Sequence, residues 1–538
     1  MHTPKHHLLS MLALCVATCA LAVPNPPALI PQPSEFTLAE PAAAFTLTAE
    51  TPIVVVETAF AREAEFAAKE LRTVTGYALP VVANASGGIR FERSPAELPR
   101  EGYTLTVTAD AVTIAASDPA GAFYGYQTLR QLLPPQVYAK RLQQDVAWEM
   151  PACTIADAPR LQWRGLMVDD VRHFIGGEGI RQMIDVMAAH KMNNLHWHLT
   201  DDQGWRIEIR KYPELITKGA TRDNSARPRD RWRPDGKTYG PYYYTQAEIR
   251  AIVAYAAERH ITIVPEIELP GHALALLSSH PELSCMGGPF KPRWLWGVEP
   301  DILCAGNDDV FPFIKDILDE VMLLFPSKFI HLGGDEAPKD RWNICAKCQQ
   351  RIQEKGLRDS NHLQTWFIQQ FADYLEANGR HLIGWDEILE GGLPSGAAVM
   401  SWRGMAGGIA AAKMGHQVVM SPNDFCYLDY GQGIENDPYE YNCANVPLRK
   451  VYTMNPTNGI PEAMHSYIIG VQGNLWSEYI WDAADQQWKA WPRAAAIAEI
   501  GWTPQAKRNW PTFAKAMETN YQRLKVLGIN AAPADLTP

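Results

Sequence analysis

Two adjacent acids, Asp335 and Glu336, end the run His331-Leu332-Gly333-Gly334-Asp335-Glu336. The run follows Lys328-Phe329-Ile330, a short apolar stretch of the kind that forms a buried strand. Side chains alternate across a strand, so neighbouring acids can serve one site only where the strand is already ending. Gly333 and Gly334 fit that ending, because glycine accepts bends and close approaches that other residues resist. Two carboxylates crowded into an apolar setting drive each other's proton affinities apart, so one can act as an acid while the other stays charged. A solvated turn would present the same pair, and most charged pairs face water. This stretch alone leaves both readings open.

The same pattern recurs along the chain. Strand-like apolar runs lie near 162–169, 193–200, 261–269, 328–333, 381–386, 397–402, 416–421 and 467–473. Where they stop stand Asp169 and Arg172, then His198, Asp201 and Asp202, then Glu268 and His272, then Asp335 and Glu336. Trp385 and Asp386, Trp402 and Arg403, Asp424, Tyr427 and Asp429, and Trp476 and Glu478 follow. Amphipathic helices separate many of the runs. Their stripes are Ile180, Met183, Ile184 and Met187; Ile249, Ile252, Val253 and Ala256, after a capping box of Thr245 and Glu248; and Ile314, Ile317, Leu318 and Val321. Alternating strands and helices predict an α/β fold, a (β/α)8 TIM barrel over 156–538, with its chemistry at the C-terminal strand ends. A doubly wound sheet is the competing architecture, but its glycine-rich dinucleotide turn is missing.

Ahead of the barrel, residues 23–155 predict a small α+β domain. Phe60, Ala64, Ala67, Leu71 and Val74 recur at helical spacing. Tyr103, Leu105 and Val107 alternate, as do Val112, Ile114 and Ala116, which reads as a hairpin. A second helix is expected from Ala120 to Leu133, and a linker from Pro151 to Pro159. The 49 basic and 60 acidic residues give a net charge of -11 with no basic run, which argues against a nucleic-acid partner.

Residues 1–22 read as a secretory signal: Lys5, His6 and His7, then a mostly apolar stretch, then Ala20-Leu21-Ala22 as a small-residue cleavage site. The apolar stretch is too short for a stable membrane span, so an exported protein, periplasmic or secreted, is expected. Of nine cysteines, Cys15 and Cys19 lie in this leader. Cys345 and Cys348 form a lone Cys-x-x-Cys without a second pair at zinc-finger spacing, which argues against structural zinc.

Acids and aromatics at a barrel mouth suggest a small-molecule carbohydrate partner, and the chain carries 17 Trp. Trp faces stack on pyranose rings, while carboxylates and Arg pair with neighbouring hydroxyls. Glycoside cleavage generally uses two carboxylates on opposite sides of the bond. An adjacent pair suits that poorly, which hints that the nucleophile is not a protein group. A metal hydrolase is the alternative, with His196, His198, Asp201, Asp202, His272 and His331 as ligands.

Several motifs, in order, match a known family. They are Arg-Gly-Leu-Met-Val-Asp at 164–169 with Arg172-His173-Phe174, His-Trp-His-Leu-Thr-Asp-Asp at 196–202, and Pro-Gly-His at 270–272. His-Leu-Gly-Gly-Asp-Glu at 331–336, Gly-Trp-Asp-Glu at 384–387 and Gly-Asn-Leu-Trp-Ser-Glu at 473–478 complete the set. The chain resembles the family 20 glycoside hydrolases, the β-N-acetylhexosaminidases, over nearly everything after the leader. The resemblance implies an exo-acting enzyme that removes terminal N-acetylhexosamine, with the substrate's own acetamide as nucleophile and no metal or cofactor.

It implies that Glu336 is the general acid and base, and that Asp335 steadies the acetamide nitrogen. Tyr427 would hold the acetamide oxygen, and Asp201 and His272 would support Glu336. Arg172, Asp429 and Glu478 would hold sugar hydroxyls, with Trp385, Trp402 and Trp476 forming the acetyl pocket and sugar platform. It also implies a Cys285–Cys304 disulfide, as in some relatives. Asp170 departs from the apolar or small residue that relatives often carry. A non-catalytic sugar-binding descendant is a further alternative, against which Asp335, Glu336 and Tyr427 all speak.

Overall fold

The computed structural model describes residues 28–227, 230–439 and 444–537; the expected leader and Cys443 lie outside them. A seven-stranded sheet comes first, in the spatial order Glu35–Leu38, Cys153–Asp157, Tyr103–Val107, Ala111–Ala116, Gly88–Arg93, Ile53–Val55 and Val81–Val82. The helix Ala61–Thr75 buries Ala64, Ala67, Leu71 and Val74, the stripe its spacing predicts. The helix Pro119–Leu132 starts on Asp118, whose side chain accepts the Gly121 N–H. The hairpin pairs Tyr103 with Ala116, Leu105 with Ile114 and Val107 with Val112.

The expected linker is not a linker. Cys153–Asp157 is a strand that pairs with both Glu35–Leu38 and Tyr103–Val107. Its side chains alternate, with Cys153, Ile155 and Asp157 buried. The prolines at 151 and 159 flank this two-residue period rather than break it.

Eight parallel strands then close into a barrel. They are β1 (Trp163–Asp169), β2 (Asn194–His198), β3 (Thr262–Glu266), β4 (Phe329–His331), β5 (His381–Trp385), β6 (Ala398–Ser401), β7 (Val418–Met420) and β8 (Ile468–Leu475). β8 returns to β1, with Trp163 opposite Gly470 and Val168 opposite Leu475. Every residue of β1 is buried, as a strand covered on both faces requires. The helices Gly176–Ala189, Gln246–Ala257 and Val310–Leu324 carry the three predicted stripes. The capping box of Thr245 and Glu248 forms in both directions.

Strand register places the chemistry. Asp169 of β1 stands opposite His198 of β2, His198 opposite Glu266 of β3, and Glu266 opposite His331 of β4. A belt of acids and imidazoles therefore forms just under the mouth. The barrel is also tied to the first sheet by buried ion pairs, Arg164 to Glu101 at 2.8 Å and Lys191 to Asp157 at 3.1 Å. Losing one partner of such a pair costs about 3–5 kcal/mol. No helix among the described residues is long and apolar enough to cross a membrane.

Candidate active site

β4 stops at His331, and the chain then turns through Gly333 (φ +64°) and Gly334 (φ +91°). A Cβ on Gly333 would lie 1.6 Å from Glu268 Oε2, so only glycine lets the turn press against the end of β3. Glu336 (φ +44°) and His272 (φ +47°) themselves sit in the left-handed region. Such conformations cost about 1–3 kcal/mol each and persist where the surroundings fix them. Both residues are turned toward one cavity.

That cavity holds about 210 Å³ and opens at the C-terminal end of the barrel. All eleven side chains to which the resemblance assigns a role line it. Trp402 stacks nearly parallel on Tyr427, with ring centroids 6.0 Å apart, and Trp385 lies 5.6 Å from Trp476. Trp385 Nε1 donates to Glu266 Oε1 at 2.8 Å, and Trp402 Nε1 to Glu387 Oε2 at 2.9 Å. These bonds fix the indoles as walls rather than leaving them free to collapse into the cavity.

A chain of paired charges runs from the belt to Glu336. His198 bridges Glu266 Oε2 (2.5 Å) and Asp201 Oδ2 (2.8 Å). Asp201 also meets Arg172 Nη2 at 2.8 Å and His272 Nδ1 at 3.1 Å. His272 Nε2 then lies 3.5 Å from Glu336 Oε2 and 3.6 Å from Asp335 Oδ2. Burial works against charge on His272, but Asp201 outweighs it and holds the imidazole well above its ordinary range. The Glu336 carboxyl is held below the usual glutamate range, chiefly by its bond to His272. In the unliganded protein the His272–Glu336 pair therefore keeps a proton on the imidazole.

Asp201→Asn tests this arrangement. Losing the negative charge lowers the proton affinity of His272, so the pair gives up its proton at a lower pH. The basic limb of the kcat/KM profile should move down by about 1–3 pH units. An unmoved limb in a folded, active variant would show that Asp201 does not set the proton.

Asp335 is different. Burial pushes its carboxyl up to about 6, opposed by His272. Its Oδ1 is buried without a hydrogen-bond partner among the described residues. A buried polar atom left unpaired costs about 1–3 kcal/mol, so this acceptor suits a donor brought by a ligand. Asp429 Oδ1 is likewise unpartnered, and burial beside Glu478 pushes the Asp429 carboxyl up to about 8. Arg172 uses donors on Asp169 (3.0 Å), Asp201 and Gln203 (2.9 Å), with its guanidinium 5.1 Å from the Trp476 ring. Arginine has five N–H groups, so this side chain can still reach a hydroxyl.

The six residues of the metal alternative do not form one set. They divide into His196 and His331 on Glu266, His198 on Glu266 and Glu268, and Asp201 with Asp202 and His272. The Cys285–Cys304 disulfide is not formed, and every described cysteine is free. Asp386 and Arg403 pair with each other at 2.6 Å outside the cavity. Asp170 is buried and accepts from Ile175 N (2.7 Å), Trp197 Nε1 (3.0 Å) and Tyr244 Oη (2.5 Å), so its place is explained by three donors.

Residues that spacing did not single out are Tyr430 and Tyr479 in the cavity wall, and Glu266 as the hub of three imidazoles. Tyr430 and Tyr479 each follow an acid already assigned to the sugar, which was the available signal. Glu266 was hidden inside an apolar strand.

The chain matches known proteins over most of its length. A profile described as Glycosyl hydrolase family 20, catalytic domain, matches residues 161–505, and one described as Glycosyl hydrolase family 20, domain 2, matches 26–158. A Beta-hexosaminidase of Porphyromonas gingivalis is 47% identical over 438 residues, covering 80% of this chain. The match spans only 55% of that relative's own length. One from Akkermansia muciniphila is 34% identical over 432 residues, 79% of this chain and 84% of the relative. The solved GH20 β-N-acetylhexosaminidase of Streptomyces coelicolor A3(2) superposes with a TM-score of 0.83 at 32% identity, covering 95% of this chain and 98% of that one. Two family profiles in the family's order, over a barrel whose mouth is built as described, leave one conclusion: the chain belongs to glycosyl hydrolase family 20.

Proposed function

We propose that the protein is an exo-acting β-N-acetylhexosaminidase that removes terminal non-reducing N-acetyl-D-hexosamine by substrate-assisted, retaining catalysis. The observation that carries this reading is the unpartnered, buried oxygen of Asp335 beside the His272–Glu336 pair. Relatives support the substrate class: an N-acetyl-β-hexosaminidase of Streptomyces plicatus was solved with Thio-NAglucal, and a mutant of it with GlcNAc as product.

Sugar entering the cavity displaces water from Glu336, which favours moving the proton from His272 onto the carboxylate. The acetamide oxygen attacks C1, the glycosidic C1–O bond breaks, and Glu336 gives its proton to the leaving oxygen. The ring so formed is an oxazolinium, with positive charge shared by its nitrogen. Asp335, ionised, accepts the N–H and offsets that charge. Tyr427 donates to the acetamide oxygen and aims it at C1. Glu336 then takes a proton from water, the water oxygen attacks C1, and the C1–O bond to the acetamide breaks. Two inversions leave the β configuration.

Arg172, Asp429 and Glu478 hold hydroxyls, while the indoles of Trp385, Trp402 and Trp476 enclose the acetyl group and carry the ring. Proton NMR during turnover tests the stereochemistry. The β-anomer should appear first and then mutarotate; the α-anomer appearing first would end the proposal. Export is part of the same reading, supported by the charged, apolar and small-residue segments of residues 5–22. Mature protein recovered outside the cytoplasm with its N-terminus near Val23 would bear this out.

A further inference from the structure

Four cysteines meet away from the sugar cavity. Cys285 and Cys304 lie on the long loop after β3, Cys345 stands between the short helix Asp340–Ile344 and the helix Ala346–Glu354, and Cys348 lies in that second helix. Their sulfurs all fall within 4.8 Å of one another. The closest separations are 3.6 Å for Cys304–Cys348, 3.7 Å for Cys285–Cys348 and 3.8 Å for Cys304–Cys345.

A disulfide would need about 2.05 Å, and it would single out one partner for each sulfur. Here Cys348 has two near neighbours and so does Cys304. A zinc ion with thiolates about 2.3 Å away at tetrahedral angles separates its sulfurs by about 3.8 Å. The three close contacts are edges of such a tetrahedron. We propose that Cys285, Cys304, Cys345 and Cys348 bind one structural zinc ion.

The backbone around the cluster is built to hold it. A Cβ on Gly306 would lie 2.2 Å from the Lys347 carbonyl carbon and 2.4 Å from Cys348 N, so the loop is pressed onto the first turn of the helix. Cys304 N donates to Leu283 O at 2.9 Å, Trp342 Nε1 donates to Leu303 O at 2.9 Å, and Arg341 pairs with Asp301 at 2.9 Å. With Cys304 and Cys348 buried, four thiols without an ion would be crowded acceptors with weak donors. The loop after β3 carries His272, and the loop after β4 carries Asp335 and Glu336. The ion would staple these two loops together.

The test uses the full chain purified without chelator or added metal. Elemental analysis should find one zinc per chain, and the denatured mass should show no hydrogen lost at these four cysteines. Displacement by an organomercurial should release that zinc, and cobalt exchanged into the site should give a thiolate-to-cobalt charge-transfer band. Cys345→Ser, which changes a half-buried ligand, should lower the zinc content and weaken that band. A mass short of four hydrogens, meaning two disulfides, would overturn the proposal. So would iron in place of zinc, or a reduced, metal-free chain that takes up no cobalt.

Discussion

Glu336→Gln should lower kcat/KM on an N-acetylglucosamine disaccharide by roughly 10²–10⁴-fold, the range of a lost general acid. The substitution keeps size and shape, and Glu336 is partly exposed, with 43% of its side chain accessible, so the fold should survive. What disappears is the proton delivered to the leaving sugar oxygen. An aryl glycoside whose phenolate leaves without help should lose much less in its first step. For that substrate the second step becomes limiting, because water then lacks its base. An added small anion such as azide should restore turnover there and yield the β-glycosyl azide. Steady-state rates on both substrates decide the matter: equal losses, or no loss on the disaccharide, would remove Glu336 from the acid role.

Asp335→Asn should cost about 10²–10³-fold in kcat, the loss typical of removing one preorganised charge-stabilising contact. The effect depends on where charge appears. The acetamide nitrogen is neutral in the ground state and gains positive charge only as the oxazolinium forms. A carboxylate beside it therefore acts mainly in the transition state, so the loss should fall on kcat more than on KM. Asparagine is nearly the same size but offers no negative charge, and its amide can also present an N–H to the substrate N–H. A small change in kcat with a large rise in KM would mean that Asp335 merely grips the sugar. The buried, unpartnered Oδ1 and a carboxyl pushed up to about 6 by burial both place this residue where a loss of charge is felt.

Much of this arrangement is legible along the chain, and the reasons are local. The stripes at Ile180–Met187 and Ile314–Val321 and the apolar runs between them carry periods that only helices and covered strands satisfy. The barrel then collects their polar ends at one mouth, so Arg172, Asp201, His272 and Trp476 come together although they are far apart in sequence. The strand at Cys153–Asp157 was missed because flanking prolines outweighed a short alternation. Glu266 was missed because spacing does not show which way a strand residue points. The neighbours that pair with it, His196, His198 and His331, come from β2 and β4 through register. For the same reason these histidines could be read as metal ligands. The four-cysteine cluster has a related cause: two ligands are separate residues of a loop, and only folding brings them to Cys345 and Cys348.

The central claim is that the sugar supplies the attacking group and the protein aims it and lends a proton. The most direct measurement compares kcat/KM for a β-N-acetylglucosaminide and a β-glucoside bearing the same aryl leaving group. Well-aimed internal nucleophiles reach effective molarities of about 10⁵–10⁸ M, so the glucoside should be slower by at least ~10⁴-fold. Comparable rates, or a glycosyl ester trapped on a protein carboxylate during turnover, would contradict the account.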